Sequence, residues 1–187
     1  YSGAGYLIVQ QMIEDVTGRP LAALAKEFIF DKLGMTSSTF DIRLPDAFLP
    51  RAATAHNRKG KPIPGRWHTY PEQAAASLWS TPTDLARLMI EVLKSLKNES
   101  NLVLSQDMTR QMIIPQKSIG GVGFNVFISN GMTRFGHPGW NEGFHSIVLG
   151  CPEMGQAIVW MINGENGRNL GWEVDHGLAE VVKWSWW

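Results

Sequence analysis

The sequence has 187 residues, of which 44% are apolar, and it balances 17 basic against 17 acidic side chains for a formal net charge of zero. That is enough chain for one good-sized core, read as a single partial domain over 1–187. Its scattered lysines and arginines give no electrostatic footprint for nucleic acid or an anionic membrane surface. The longest apolar run, Ala157 to Ile162, falls far short of the roughly 20 residues a membrane helix needs. The lone Cys151 excludes an internal disulfide and leaves the compartment open.

The chain starts at Tyr1 with no basic-then-apolar leader, and it is expected to be a piece of something longer. Tyr6, Val9, Ile13 and Val16 recur at three and four and predict a helix stopped by Gly18. Pro20 suits the first turn of a second helix, with Leu21, Leu24, Phe28 and Ile29 on its buried side until Gly34. Residues 36–76 hold many of the prolines and show no period, so a long surface loop is expected, of a length that usually lines a binding site. Ser80-Thr81-Pro82-Thr83-Asp84 then opens a helix through Leu85, Leu88, Met89 and Val92. A short helix follows between Ser105 and Pro115, with Met108 and Met112 read as core.

From residue 116 the pattern turns to strands: Val122–Ile128, Met132–Phe135, Phe144–Cys151 and Ala157–Asn163, with Asn130-Gly131 as the strongest turn signal. Helical spacing returns from Leu170 to Trp184 through Val174, Leu178, Val181 and Val182. Trp184, Trp186 and Trp187 read as helix packing on the sheet. A mainly helical part over 1–115 followed by antiparallel strands and a closing helix over 116–187 gives an α+β fold.

Five histidines, at 56, 68, 137, 145 and 176, show no metal-ligand spacing. Gly121-Val122-Gly123 precedes a strand and so is no dinucleotide loop. No serine lies in Gly-x-Ser-x-Gly, which excludes an α/β-hydrolase elbow. Glu14 and Asp15, adjacent on a helix, point apart and read as a solvated face. Arg134 to Phe144, RFGHPGWNEGF, remains: by composition a turn, yet with one histidine among glycines that let backbone approach closely.

Four segments stand out in order: Tyr1-Ser2-Gly3-Ala4-Gly5-Tyr6 with Ile13 to Gly18, Lys32 to Phe40, Leu78 to Ala86, and Gly136-His137-Pro138-Gly139 with Gly143-Phe144. Together they resemble the serine β-lactamase and penicillin-binding-protein superfamily, closest to its class C branch with the related esterases and D-amino-acid peptidases. The first is similar to that family's Tyr-x-Asn segment and its helix, the second to its Pro-Leu-Gly-Met-x-x-Thr stretch, and the third to its Leu-x-Ser-Thr-x-x-Asp-Leu-Ala. The fourth stands where Lys-Thr-Gly or His-x-Gly lies on an inner strand.

The resemblance implies a β-lactamase/transpeptidase-like fold, incomplete because it matches the C-terminal portion only, and acyl transfer by an activated serine with no cofactor or metal. It makes Tyr1 the proton-transfer phenol and His137 the stand-in for the strand lysine, both catalytic. The backbone N–H of Trp140 becomes an oxyanion donor, and Gly3, Gly139 and Asn141 border the substrate. The implied partner is a small-molecule or peptide acyl substrate, namely a β-lactam, a D-amino-acid peptide or an ester, and the resemblance favours a periplasmic or secreted setting. Gly3 replaces the motif's asparagine, which counts against β-lactams. No Ser-x-x-Lys occurs: the residues three before each lysine are Ala23, Ile29, His56, Arg58, Glu91, Lys94, Ile114 and Glu180. The chain alone is therefore expected to be inactive and to self-associate through the surface a missing N-terminal half would cover. The alternative is a binding module of the same fold without turnover.

Overall fold

The structure is a computed structural model that describes residues 1–184. The chain divides into two compact units, one formed by Tyr1–Ala52 with His68–Leu88, the other by Ala53–Trp67 with the chain from Met89 onward.

In the first unit, α1 (Gly3–Thr17) is capped by Ser2, whose Oγ accepts the Gly5 N–H at 3.1 Å, and ends at Gly18 in the left-handed conformation, φ 65°. Its inner side is not the one the spacing suggests. Tyr6, Gln10 and Ile13 are half-buried, while Val9 and Val16 are exposed. Gln10 explains the rotation: its amide bonds Gln73 Oε1 at 2.7 Å and the Ala74 N–H at 3.1 Å, holding α1 against the short helix α4 (Gln73–Ala76). Glu14 is no solvated residue, because its Oε1 accepts the Leu21 N–H at 2.7 Å and so caps the next helix.

That next helix begins as α2 (Leu21–Ala25), widens into a π turn over Lys26–Phe30, and closes as α3 (Asp31–Leu33). A π turn accommodates one extra residue and rotates the buried side. Phe30 is therefore buried, stacked on Phe40 at 6.0 Å, and Phe28 faces solvent. The long loop is ordered by a 3-10 turn at Asp46–Arg51, by α4, and by a bridge joining Thr39 to Trp79.

Helix α5 (Pro82–Leu96) starts as its sequence dictates, with Thr81 Oγ1 accepting the Asp84 N–H at 3.2 Å and Pro82 in the first turn. Its residues from Met89 belong to the second unit. There α6 (Gln106–Met112) is capped by Ser105, and it buries Thr109 while leaving Met108 exposed, so Met108 is not core. The hydroxyl of Thr109 meets Ser95 Oγ at 2.8 Å, a pairing the apolar pattern could not signal.

The sheet of the second unit is a meander in the order β1-β2-β3-β4, all antiparallel: β1 (Asn125–Ser129), β2 (Met132–Asn141), β3 (Phe144–Cys151) and β4 (Gln156–Ile162). β1 begins later than expected because Gly121 to Phe124 is a turn closed by the Gly121 N–H on the Phe124 carbonyl at 2.8 Å. β2 is much longer than expected. The glycine-rich run continues the strand, and only Glu142-Gly143 turns.

One face carries Val126, Phe135, Val148, Ala157 and Val159, packed on Met89, Val92 and Leu93 of α5. Phe135 is fully buried, and truncating such a side chain to alanine costs about 3–5 kcal/mol. The other face receives α7 (Gly167–Val181): Gly171 sits against the Trp160 ring, whose indole N–H donates to Asp175 Oδ1 at 2.9 Å. Burial raises the Asp175 carboxyl above its ordinary range, opposed in part by that N–H. The Trp184 N–H donates to the Ala179 carbonyl at 2.9 Å, while Trp186 and Trp187 lie outside the described residues.

Candidate functional site

β2 brings four of the sequence-predicted site residues together. His137, Gly139 and Asn141 alternate onto the face that carries Phe135, and Trp140 turns to the face of α7. β1 pairs only with Met132–Gly136, so beyond Gly136 β2 becomes an edge of the sheet.

The direction of the backbone groups along that edge follows from one bond and the strand register. The Thr133 N–H donates to Glu153 Oε2 at 3.0 Å, on the β3 side, and the register is unbroken from Met132 to Asn141. Odd-numbered residues of β2 therefore aim their N–H at β3, and even-numbered ones aim away. Pro138, which has no N–H, falls on the outward parity, where the β3 ladder loses nothing. Trp140 shares that parity, so its N–H is turned to the open edge.

His137 is half-buried, with Nδ1 2.7 Å from the Pro138 carbonyl. A carbonyl only accepts, so Nδ1 carries the hydrogen and the neutral ring has its lone pair on Nε2. Trp140 is 68% exposed and stacks on His145 with ring centres 5.8 Å apart and 11° between planes. His145, in turn, holds the Glu165 carbonyl with Nε2 at 3.2 Å.

Tyr1 and Gly3 belong to the other unit. Tyr1, 82% exposed, precedes the cap of α1, with its ring 5.6 Å from that of Tyr6. A side-chain carbon added at Gly3 would meet Ala75 Cβ at 3.7 Å, an ordinary contact, so packing does not dictate glycine there. His68 is exposed and edge-on to Tyr70. Cys151 is fully buried, and burial pushes its thiol up, as for a core residue. Among the described residues no three His, Cys, Asp or Glu side chains gather to hold a metal ion, and no helix is long and apolar enough to cross a membrane.

Sequence reading missed the support under this strand. Asn163 to Asn166, between β4 and α7, ties the hairpin end to the loop at Thr54–Arg58 through side-chain and backbone bonds. Only the polar run Asn163-Gly164-Glu165-Asn166 could have hinted at it.

These features define a helix-covered antiparallel sheet with a histidine-bearing strand at its open edge. The family model described as Beta-lactamase matches residues 1–179, and the chain belongs to that family. Among curated proteins it is similar to an unguisins hydrolase of Aspergillus violaceofuscus (strain CBS 115571), at 25% identity over 91% of this chain and 35% of that one. Among solved structures it is similar to an octameric penicillin-binding protein homologue from Pyrococcus abyssi, with TM-score 0.72, 20% identity, and coverage of 88% of this chain and 38% of the other. A D-amino acid amidase from Ochrobactrum anthropi SV3 aligns with TM-score 0.68 and 23% identity over 87% of this chain and 49% of its own. The chain thus spans about a third of the curated relative and less than half of these two structures. Its fold is that of the β-lactamase and penicillin-binding-protein superfamily.

Proposed function

We propose that this chain forms the substrate-edge part of a hydrolase that works through an acyl-enzyme on an amide or ester. The observation that carries the reading is the open edge of β2, which presents His137, Gly139 and the outward N–H of Trp140 within four residues. An acyl carbonyl lying along that edge would meet one preorganised donor for the charge that develops on its oxygen, with Gly139 keeping the approach clear. His137 Nε2 would exchange a proton near the reacting group, Asn141 would contact the substrate amide, and Tyr1 would be the proton-transfer phenol of its own motif. The hydrolase and amidase names of the similar proteins favour an amide-bearing substrate such as a D-amino acid amide.

A nucleophile is still needed, and no Ser-x-x-Lys lies in these 187 residues. The chain by itself is therefore inactive. The experiment compares the purified 187-residue chain with the natural gene product that contains it, using a D-amino acid amide, a p-nitrophenyl ester and a chromogenic β-lactam. Turnover by the gene product, abolished by a serine-directed inhibitor and absent from the chain, is the expected result. Turnover by the chain alone would overturn it. The missing Ser-x-x-Lys also favours a second reading, a binding module without turnover, and a gene product that binds these ligands yet hydrolyses none would establish that one.

A further inference from the structure

We propose that Glu165 is a positioning residue that fixes the β2–β3 hairpin and, through it, the outward N–H of Trp140. The inference rests on the acyl-transfer reading and adds to it a residue outside every recognised motif.

Glu165 bonds in three directions. Its Oε2 accepts the Gly143 N–H at 2.7 Å, its carbonyl accepts from His145 Nε2, and its own N–H donates to the His56 carbonyl at 2.8 Å. The segment around it is anchored as well, with Asn163 Nδ2 donating to the Thr54 carbonyl at 2.9 Å and Asn166 Nδ2 to the Arg58 carbonyl at 3.0 Å. Glu165 is thus held before it holds anything else.

The hairpin needs such a hold. Two-residue loops that match the twist of their strands take a positive φ at the first loop residue or at both. Here only the second, Gly143, does so, at 76°. The turn is also wedged: a Cβ at Gly143 would lie 2.6 Å from Ala55 Cβ. Glu165 grips the turn at Gly143 and reaches Trp140 a second way, since the His145 ring it bonds is the one stacked on the Trp140 indole. Releasing Glu165 loosens both restraints on the residue whose N–H must meet the developing oxyanion. An oxyanion donor acts within about 0.4 Å of tolerance, and a misplacement of about 1 Å costs on the order of 100-fold in rate.

The test uses the natural gene product with Glu165→Ala, Glu165→Gln and Glu165→Asp. The glutamine amide oxygen can accept the same N–H, so Glu165→Gln should keep kcat within about 3-fold. Glu165→Ala should lower kcat about 10–100-fold with KM changed less than about 3-fold, and Glu165→Asp, one methylene short, should fall between. Should the alanine variant fail to fold, the order Gln above Asp decides. Wild-type kcat in Glu165→Ala, or a loss in Gln as large as in Asp or Ala, overturns the proposal.

An activity-free arm follows amide exchange at Gly143, expected to quicken at least about 10-fold in Glu165→Ala and to stay near wild type in Glu165→Gln. Unchanged exchange in the alanine variant refutes the anchoring itself. A gene product with no turnover on any substrate but with this exchange pattern would instead leave the anchor standing and sink the acyl-transfer reading.

Discussion

Asp84 offers the sharpest test of how the first unit is held. It is 2% exposed, and Oδ2 accepts both the Ser37 N–H at 2.8 Å and the Ser38 hydroxyl at 2.9 Å, while Oδ1 accepts Arg87 Nη1 at 3.0 Å. In Asp84→Ala two charge-assisted bonds vanish, worth about 1.5–3 kcal/mol each, and the Ser37 N–H loses this acceptor. Ser38 keeps Ser80 Oγ at 2.8 Å, which softens its loss. Arg87 is 45% exposed, so its share is a few tenths of a kcal/mol at most. Removing a buried carboxylate returns part of its desolvation cost, leaving a net loss of about 3 kcal/mol. For a protein of this size that lowers Tm by about 6–12 °C. Asp84→Asn retains an oxygen acceptor without the charge and should lose about 1 kcal/mol. Thermal unfolding followed by circular dichroism reads both variants. An alanine variant melting within about 2 °C of the parent, or an asparagine variant falling equally far, would refute this account of the motif.

Three further outcomes are expected. A Cβ at Gly136 would lie 2.0 Å from the Val148 backbone oxygen, whereas one at Gly139 meets only the movable Ser146 Oγ at 2.3 Å. Urea unfolding should therefore show Gly136→Ala losing about 2–3 kcal/mol and Gly139→Ala less than about 1. The raised Asp175 carboxyl gives stability that is fully present below its unfolded value of 3.8 and is lost as pH rises through the folded value. Asp175→Asn keeps an acceptor for Trp160 and removes the buried charge, so it should melt higher than the parent at pH 7 and level with it near pH 3; an equal gap at both pH values would contradict this. Finally, α1 leaves Ile8, Val9, Met12 and Val16 on one exposed stripe, and the 187-residue chain alone should associate at micromolar concentration, which light scattering would disprove by returning a monomer.

The sequence was legible wherever one local rule acted alone. Thr81-Pro82 opened α5, Gly18 ended α1, and the β-like runs of the last third appeared as antiparallel strands. It misled wherever a partner distant in sequence chose between faces. Val9 gave way to Gln10 because Gln73 and Ala74 lie opposite, Phe28 gave way to Phe30 through the π turn, and Met108 to Thr109 because Ser95 offers a hydroxyl. The run from Gly136 to Gly139 was the hardest case. Its composition is that of a turn, yet the pairing of His137 with Val148 and Gly139 with Ser146 makes it strand. Glycine at 136 serves close packing against β3, which only the neighbour reveals.

The motifs that carried the family resemblance do different physical work. Lys32 to Phe40 and Leu78 to Ala86 are joined by the Thr39–Trp79 bridge, 2.9 Å in both directions, and by Asp84 reaching Ser37 and Ser38. The Asp84 carboxylate of one segment is satisfied by the backbone and hydroxyl of the other, and neither bond involves a residue of the β2 edge. The proposed chemistry would sit instead at one strand edge, where parity sets the Trp140 N–H outward and a neighbouring carbonyl sets the His137 tautomer. Bracing bonds of this kind depend on no nucleophile, so they would hold whether or not a chain carries one. Those two motifs therefore speak for the fold, and the proposed catalysis rests on His137, Gly139 and the Trp140 N–H at the β2 edge.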